Sequence, residues 1–309
     1  MKVTLAGGSG FLGRALQRRL LADGHQVLVL SRRGSGGTPP WSAPVTTFAW
    51  DPDGTAGNWA SALEHADAIV NLAGESIAGG RWNRQRKARI LDSRLDATRS
   101  LVQAVAGLTH RPRVLINASA QGFYGDRGDE ELTEESPAGD DFLAHVCTFW
   151  EGEASKAASA LRVVLLRTGI VLAADGGALP RMVLPFKLCV GGPLGSGRQF
   201  MSWIHVDDWV GMTTWALGNE AISGAINLGS PNPVRNRAFS IALGRVLHRP
   251  SFMPAPGFAL RIAVGEMADP LLLASTKMTP ARALEGGYRF GHHDAGEALE
   301  SLFHPPLPV

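Results

Sequence analysis

Lys2-Val3-Thr4-Leu5-Ala6-Gly7-Gly8-Ser9-Gly10-Phe11-Leu12-Gly13 follows directly on Met1. A short run of buried-type residues ends in glycines spaced G-x-x-G-x-x-G, and a helix-period stretch begins at Phe11. Glycine at a strand-to-helix joint permits a tight turn. It also lets an anion come close to a helix N-terminus, whose free N–H groups and dipole favour negative charge. Gly7, Gly10, Phe11, Leu12 and Gly13 are therefore expected to hold the pyrophosphate of a dinucleotide. The alternative is an ordinary glycine-rich turn, and the placement between strand and helix argues against it.

Outward from this joint, apolar runs alternate with helical patterns. Lys2–Ala6, Gln26–Leu30, Val45–Trp50, Ala68–Leu72, Val114–Ala118 and Val163–Leu172 are predicted strands, and Phe11–Asp23, Asn58–Glu64, Asn83–Gly107 and Asp140–Leu161 predicted helices. Strands that are apolar throughout and separated by helices call for a parallel sheet covered on both faces. The fold class is thus α/β, a doubly wound parallel sheet of the Rossmann type with a second, smaller interleaved C-terminal domain. Residues 1–172 form the dinucleotide-binding part. A predicted helix at Val206–Gly218 and strand at Ala225–Leu228 complete it at about 203–230. Residues 173–202 and 231–309 are assigned to the smaller domain, where prolines at 231, 233, 250, 254, 256, 270 and 280 make the pattern irregular.

Composition narrows the function. Lys+Arg number 30 against Asp+Glu 28, so the formal charge is +2, and no basic run supplies the footprint of a nucleic-acid binder. Two cysteines, Cys147 and Cys189, are no disulfide framework. Neither they nor the nine histidines show metal-ligand spacing, and the adjacent His292-His293 pair is poorly placed to share one ion. No metal is expected. No apolar run approaches the length of a membrane span, and the start has no signal-peptide pattern, so a cytoplasmic protein is expected. The expected partner is a small-molecule substrate, with no nucleic acid and no membrane.

The end of the second strand, Leu30-Ser31-Arg32-Arg33, bears on the choice of dinucleotide. NAD sites place an acidic residue there for the ribose 2′-hydroxyl. Here Ser31 offers a hydrogen bond, Arg32 can fork onto a 2′-phosphate, and no carboxylate stands by to repel it. NADP is the expected cofactor, with two solvated loop arginines as the alternative.

With these residues in view, the chain resembles the extended short-chain dehydrogenase/reductase superfamily. Within it, the sequence is similar to the SDR39U1-like "epimerase family protein" subgroup, which ends in a small domain of its own. The resemblance is carried by GGSGFLG at 7–13, VNLAGESIAGGRW at 70–82, SRLDATRSL at 93–101, SAQGFYGDRG at 119–128 and TEESPAGDDFLAHVCTFWEGEA at 133–154. It continues through LRTGIVL at 166–172, GGPLGSGRQFMSWIHVDD at 191–208, INLGSPNPV at 226–234, RPSFMPAP at 249–256 and GYRFG at 287–291. It implies that Leu72, Ala73 and Gly74 line the cofactor's adenine-ribose and pyrophosphate. It implies Arg94 as a candidate on the cofactor side, with a surface helix arginine as the alternative. Ile170 falls where this superfamily packs nicotinamide, and His205 and Asp207 fall in a structural stretch.

The superfamily's catalytic set is where the chain departs. A Ser or Thr after the fifth strand and a Tyr-x-x-x-Lys on the next helix are usual, Tyr being the general acid/base. Alignment on Tyr124-Gly125 puts Ala120 at the hydroxyl position, with Ser119 one residue earlier. On the helix, Leu143 and Cys147 stand where Tyr and Lys would be. Ser119 and Tyr124 are the remaining catalytic candidates, with a structural role in a tight turn as the alternative. Glu75 is a candidate for binding substrate or a ribose hydroxyl, and Cys147 is expected to be a buried small hydrophobe. The expected function is an NADP-dependent oxidoreductase or epimerase-like enzyme on an unknown small substrate. The alternative is a non-catalytic NADP(H)-binding sensor or regulatory interaction protein.

Overall fold

Residues 1–32 and 41–304 are described by the computed structural model; Arg33, the 34–37 glycine cluster and the last five residues lie outside it. The first half contains β1 (Lys2–Ala6), α1 (Phe11–Ala22), β2 (Gln26–Ser31), β3 (Val45–Ala49), β4 (Ala68–Asn71), α2 (Arg84–Gly107) and β5 (Val114–Ala120). Then come β6 (Glu131–Leu132), α3 (Phe142–Ser155), β7 (Arg162–Thr168), β8 (Ile170–Leu172), α4 (Leu179–Lys187), β9 (Phe200–Met201), β10 (Trp203–His205), α5 (Val206–Gly218) and β11 (Gly224–Leu228). The remainder holds β12 (Val234–Arg235), α6 (Asn236–Val246), α7 (Gly257–Val264), β13 (Lys277–Met278), α8 (Ala281–Glu285) and α9 (Ala295–Phe303).

Seven of these strands form one parallel sheet in the order β11-β7-β5-β4-β1-β2-β3. Alternate residues of each strand go to opposite faces. Val3, Leu5 and Val27 pack with Leu16 and Leu20 of α1 and Trp209 and Met212 of α5. Leu28, Ile69 and Leu115 pack with Ala97 and Leu101 of α2 and Ala154 of α3. Burying each Leu, Ile or Val stabilises by about 1.5–3 kcal/mol relative to exposure, so both faces need their helices. The strand order reverses between β1 and β4, which opens a crevice at their C-terminal ends.

The predicted strand Val163–Leu172 is in fact two. At Gly169 the chain leaves β11 for β10: the Gly169 N–H donates to the Leu228 carbonyl at 2.9 Å, and the Ile170 N–H to the Ser202 carbonyl at 2.8 Å. The predicted helix Asp140–Leu161 starts later, because Asp141 is its cap and accepts from the Ala144 N–H at 2.8 Å. It ends earlier, tightening into a 3-10 turn at Lys156–Ser159. Asn58–Leu63 is likewise 3-10 rather than α-helical.

The C-terminal part has its own core. Leu179, Val183 and Phe186 of α4 pack with Phe239 and Leu243 of α6 and with Ala298 and Leu299 of α9. Among the described residues, no helix is long and apolar enough to cross a membrane.

Candidate functional site

The glycine turn lies at the crevice, and two glycines are there for want of room. Gly7 has φ +78°, and a Cβ on it would stand 2.8 Å from the Leu72 carbonyl carbon and oxygen. A Cβ on Gly13 would lie 2.5 Å from the Gly7 oxygen and 2.6 Å from Gly8 Cα. The first lets the turn tuck beneath Leu72; the second seats α1 on the turn. Gly10 caps α1 with no side-chain hydrogen bond, and the first turn carries no acidic residue. The N-terminus thus keeps its positive end available to an anion.

Phe11 and Leu12, in the first turn of α1, pack part-buried against the core. The Gly176-Gly177 turn lies on the Phe11 ring, where a Cβ on Gly176 would come within 2.3 Å. Leu72, Ala73 and Gly74 leave β4 directly above Gly7. Asn71 sets that departure: its Oδ1 accepts from the Ala73 N–H at 3.2 Å, and its Nδ2 is held by Asn117 at 2.7 Å and Thr98 at 2.9 Å.

Arg94 lies under Gly74, with 3.1 Å from its Cγ and Cζ to a Cβ placed there. Its Nη1 donates to the carbonyls of Glu75 and Ile90, and its guanidinium lies over the Trp150 ring at 5.0 Å. Burial lowers its pKa from the ordinary value. It props the loop that follows β4 and is no solvated helix arginine. Glu75 is engaged too, by Arg86 at 3.2 Å and Arg89 at 3.4 Å, and stays part-exposed. Ile170 opens β8, half-buried beside Trp203.

Beyond the end of β2, exposed Arg32 lines a hollow of about 620 Å³ with Trp50, Asp51, Asn58 and Trp59. Sequence reasoning passed over Asp51 and Asn58. The one signal for Asp51 was its position just past the third strand, at the same end of the sheet as Arg32.

Ser119 and Tyr124 are brought together, but in a closed network. Ser119 Oγ donates to Glu151 Oε1 at 2.6 Å. Glu151 also forms a bidentate pair with Arg167, both bonds 2.9 Å. Arg167 Nη1 donates to the Tyr124 hydroxyl at 3.1 Å, which in turn donates to Asn227 Oδ1 at 2.6 Å. Arg167 further stacks on Phe123 at 3.4 Å. Ser119 is 4 % exposed and Tyr124 0 %, so neither hydroxyl faces the crevice. Burial pushes the Tyr124 phenol up to about 12, away from any useful acid/base range near neutrality. Cys147 is buried beside the network, its thiol pushed up to about 11 by burial and donating to the Ala120 carbonyl.

His205 caps α5, its Nδ1 accepting from the Asp207 N–H at 3.1 Å, and it stacks on His292 with ring centres 3.7 Å apart. Among the described residues, spacing along the chain hides two groups that the fold assembles: His205, Asp207 and His292 in one place, and Glu64, His65 and His110 in another.

A parallel doubly wound sheet, a glycine turn without room for side chains and an uncapped helix N-terminus together define a dinucleotide-binding protein. Residues 3–229 match the NAD dependent epimerase/dehydratase family, and residues 255–302 match a domain of unknown function (DUF1731). The chain belongs to the NAD dependent epimerase/dehydratase family, an extended short-chain dehydrogenase/reductase. It is 41% identical over 304 residues to the chloroplastic SDR39U1 homolog of Arabidopsis thaliana, covering 98% of this chain and 86% of that one. It is 40% identical to the epimerase family protein YfhF of Bacillus subtilis, covering 98% of both. The crystal structure of human SDR39U1 with NADPH superposes with a TM-score of 0.88 at 35% identity, covering 98% of this chain and 99% of that one.

Proposed function

We propose that this protein is an NADP(H)-dependent oxidoreductase or epimerase-like enzyme, acting on a small substrate held between the doubly wound core and the C-terminal part. The observation that carries the cofactor assignment is the unpartnered N-terminus of α1 on its cramped glycine turn, with Arg32 on the same side of the sheet. The residues present fit the group. The α1 N–H groups would receive the pyrophosphate, and Leu72, Ala73 and Gly74 would border it. Arg32, with Ser31, would hold the 2′-phosphate, and Asp51 offers an acceptor to an adenine amine. Human SDR39U1, with its NADPH, supports the same choice. When bound, the nicotinamide supplies hydride transfer.

Proton transfer is assigned to neither Ser119 nor Tyr124, because both hydroxyls are spent inside the network. The chain's contribution is then to orient cofactor and substrate, leaving the proton to water in the cleft. A missing general acid/base costs about 10²–10⁴ in rate, so turnover is slow and narrow in substrate. The same network favours a second reading, a non-catalytic NADP(H)-binding regulatory protein.

One experiment separates the readings. NADPH binding is measured by fluorescence, and NADPH absorbance is then followed with a panel of small carbonyl compounds. Tight binding with turnover that survives Ser119→Ala and Tyr124→Phe supports the enzyme. Tight binding without turnover on any carbonyl, together with NADPH-dependent capture of a protein, moves the assignment to the regulator. Failure to bind NADPH overturns both.

A further inference from the structure

At the end of the sheet opposite the glycine turn, the chain enters β4 and β5 through two short connections. Glu64 and His65 lie on the first and His110 on the second, far apart in sequence and adjacent in space. Glu64 Oε1 accepts from the His110 backbone N–H at 2.6 Å and lies 2.9 Å from His110 Nδ1. His65 takes the left-handed conformation, φ +64°. Its ring lies on that of His110, centroids 4.3 Å apart and planes inclined by 33°. One ligand atom from each of the three residues lies within 4.8 Å of the others, with both imidazoles exposed to solvent and Glu64 half-buried.

We propose that Glu64, His65 and His110 form a binding site for a zinc-class divalent transition-metal ion. The donor set decides the class: two imidazoles and one carboxylate suit zinc and its neighbours, whereas calcium and magnesium take oxygen cages. The size of one edge agrees as well, and the other two lie within 4.8 Å. With metal–ligand bonds of about 2.0–2.2 Å, neighbouring ligands of a tetrahedral ion stand roughly 3.3 Å apart. The Glu64–His110 edge is already 2.9 Å, so an ion replaces the proton between these two with little movement, and the exposed His65 ring swings in to complete the set. The carboxylate is fixed by the His110 backbone N–H, an orienting contact of the kind that holds metal-binding carboxylates in place. Water fills the fourth position.

The other assembled group is a poorer host. His205 is buried, and its Nδ1 is committed to capping α5. An ion bound through that nitrogen would displace the Asp207 N–H. Bound at Glu64, His65 and His110, the ion ties together the entries of two central strands and stabilises the folded chain by mass action.

The test uses the untagged full chain, stripped with chelator and titrated with Co²⁺ as a visible-absorbing stand-in for Zn²⁺. Melting is followed with and without Zn²⁺. One saturable equivalent, a tetrahedral-type visible band displaced by Zn²⁺, and a raised melting temperature are expected. Glu64→Gln keeps an acceptor for the His110 N–H, and His65→Asn keeps a residue tolerant of positive φ. Both variants are therefore expected to fold, checked by circular dichroism, and to lose the band and the melting shift. His292→Ala is expected to keep both. No saturable binding by the wild type, binding that survives Glu64→Gln and His65→Asn, or binding lost in His292→Ala overturns the proposal.

Discussion

Two polar regions lie at the same end of the sheet and are built on opposite plans. At the α1 N-terminus the chain withholds partners: no side chain caps the helix, no acid sits in its first turn, and glycines keep the approach clear. Around the end of β5 the chain partners the hydroxyls and charges of Ser119, Glu151, Arg167, Tyr124 and Asn227 with one another. Groups awaiting a ligand must stay unsatisfied, which costs stability; groups satisfied internally stabilise the fold and are lost to chemistry. The first plan describes a binding site. The second describes a polar core closed on itself.

The sharpest way to break this contrast is to open the network. Glu151→Ala strands the Arg167 guanidinium in a buried position, and breaking one partner of such a pair costs about 3–5 kcal/mol. A stability loss in urea titration of less than a third of that would mean that water or another acceptor already serves Arg167. At the other region the lever is steric. Gly13→Ala sets a methyl against backbone atoms that cannot swing away, and overpacking of this kind costs about 1–3 kcal/mol. NADPH affinity and melting temperature are expected to fall together. Gly10→Ala meets one atom at 3.2 Å and is expected to lose much less, so equal losses would remove the steric account.

Arg32→Ala is expected to weaken NADPH by roughly 10- to 100-fold, the size of a charge-assisted hydrogen bond, and NADH little. Fluorescence titration with both dinucleotides reads this, and parallel losses would take the 2′-phosphate away from Arg32. Tyr124→Phe removes one buried hydroxyl and should cost about 1–3 kcal/mol by chemical denaturation while leaving NADPH affinity unchanged. An altered affinity would connect the two regions after all.

The smallest effect is one of pH. Burial raises the Glu134 pKa against the pull of the Asn227 and Arg282 N–H groups. The folded chain therefore holds that proton more tightly than the unfolded chain does. Its contribution to stability is fully present below the ordinary glutamate value and declines as pH rises through the raised one. Glu134→Gln should flatten that slope in urea titrations run at several pH values; a slope that persists belongs to another group.

The fold was legible because its strongest signals are local. β1 and α5 run as the sequence reading drew them, since a run of buried-type residues or a helical period needs no distant information. The break at Gly169 was not legible: it depends on Ser202 and Leu228 arriving from elsewhere. In the tail, frequent prolines hid real helices. Phe239, Leu243 and Val246 of α6 repeat at helical spacing, and the count of prolines outweighed that period. The tight glycine turn was readable for the same local reason as β1. The roles of Ser119 and Tyr124 were not, because what decides them is whether Glu151, Arg167 and Asn227 reach their hydroxyls. Chain spacing also concealed Glu64, His65 and His110, which only the sheet brings together.

The late return of β11 beside β7 has a consequence for synthesis on the ribosome. Until residues 224–228 emerge, β7 is an edge strand whose Val163-Val164-Leu165-Leu166 stretch has an unpaired side, the kind of edge that recruits other chains. Arginines bracket that stretch at 162 and 167. In the nascent chain their charges discourage intermolecular pairing. In the finished one, Arg162 donates to the carbonyls of Ala216, Leu217 and Ile222 around the end of α5, and Arg167 turns inward to Glu151. The two gatekeepers of the unfinished sheet thus become its fastenings once the last strand is in place.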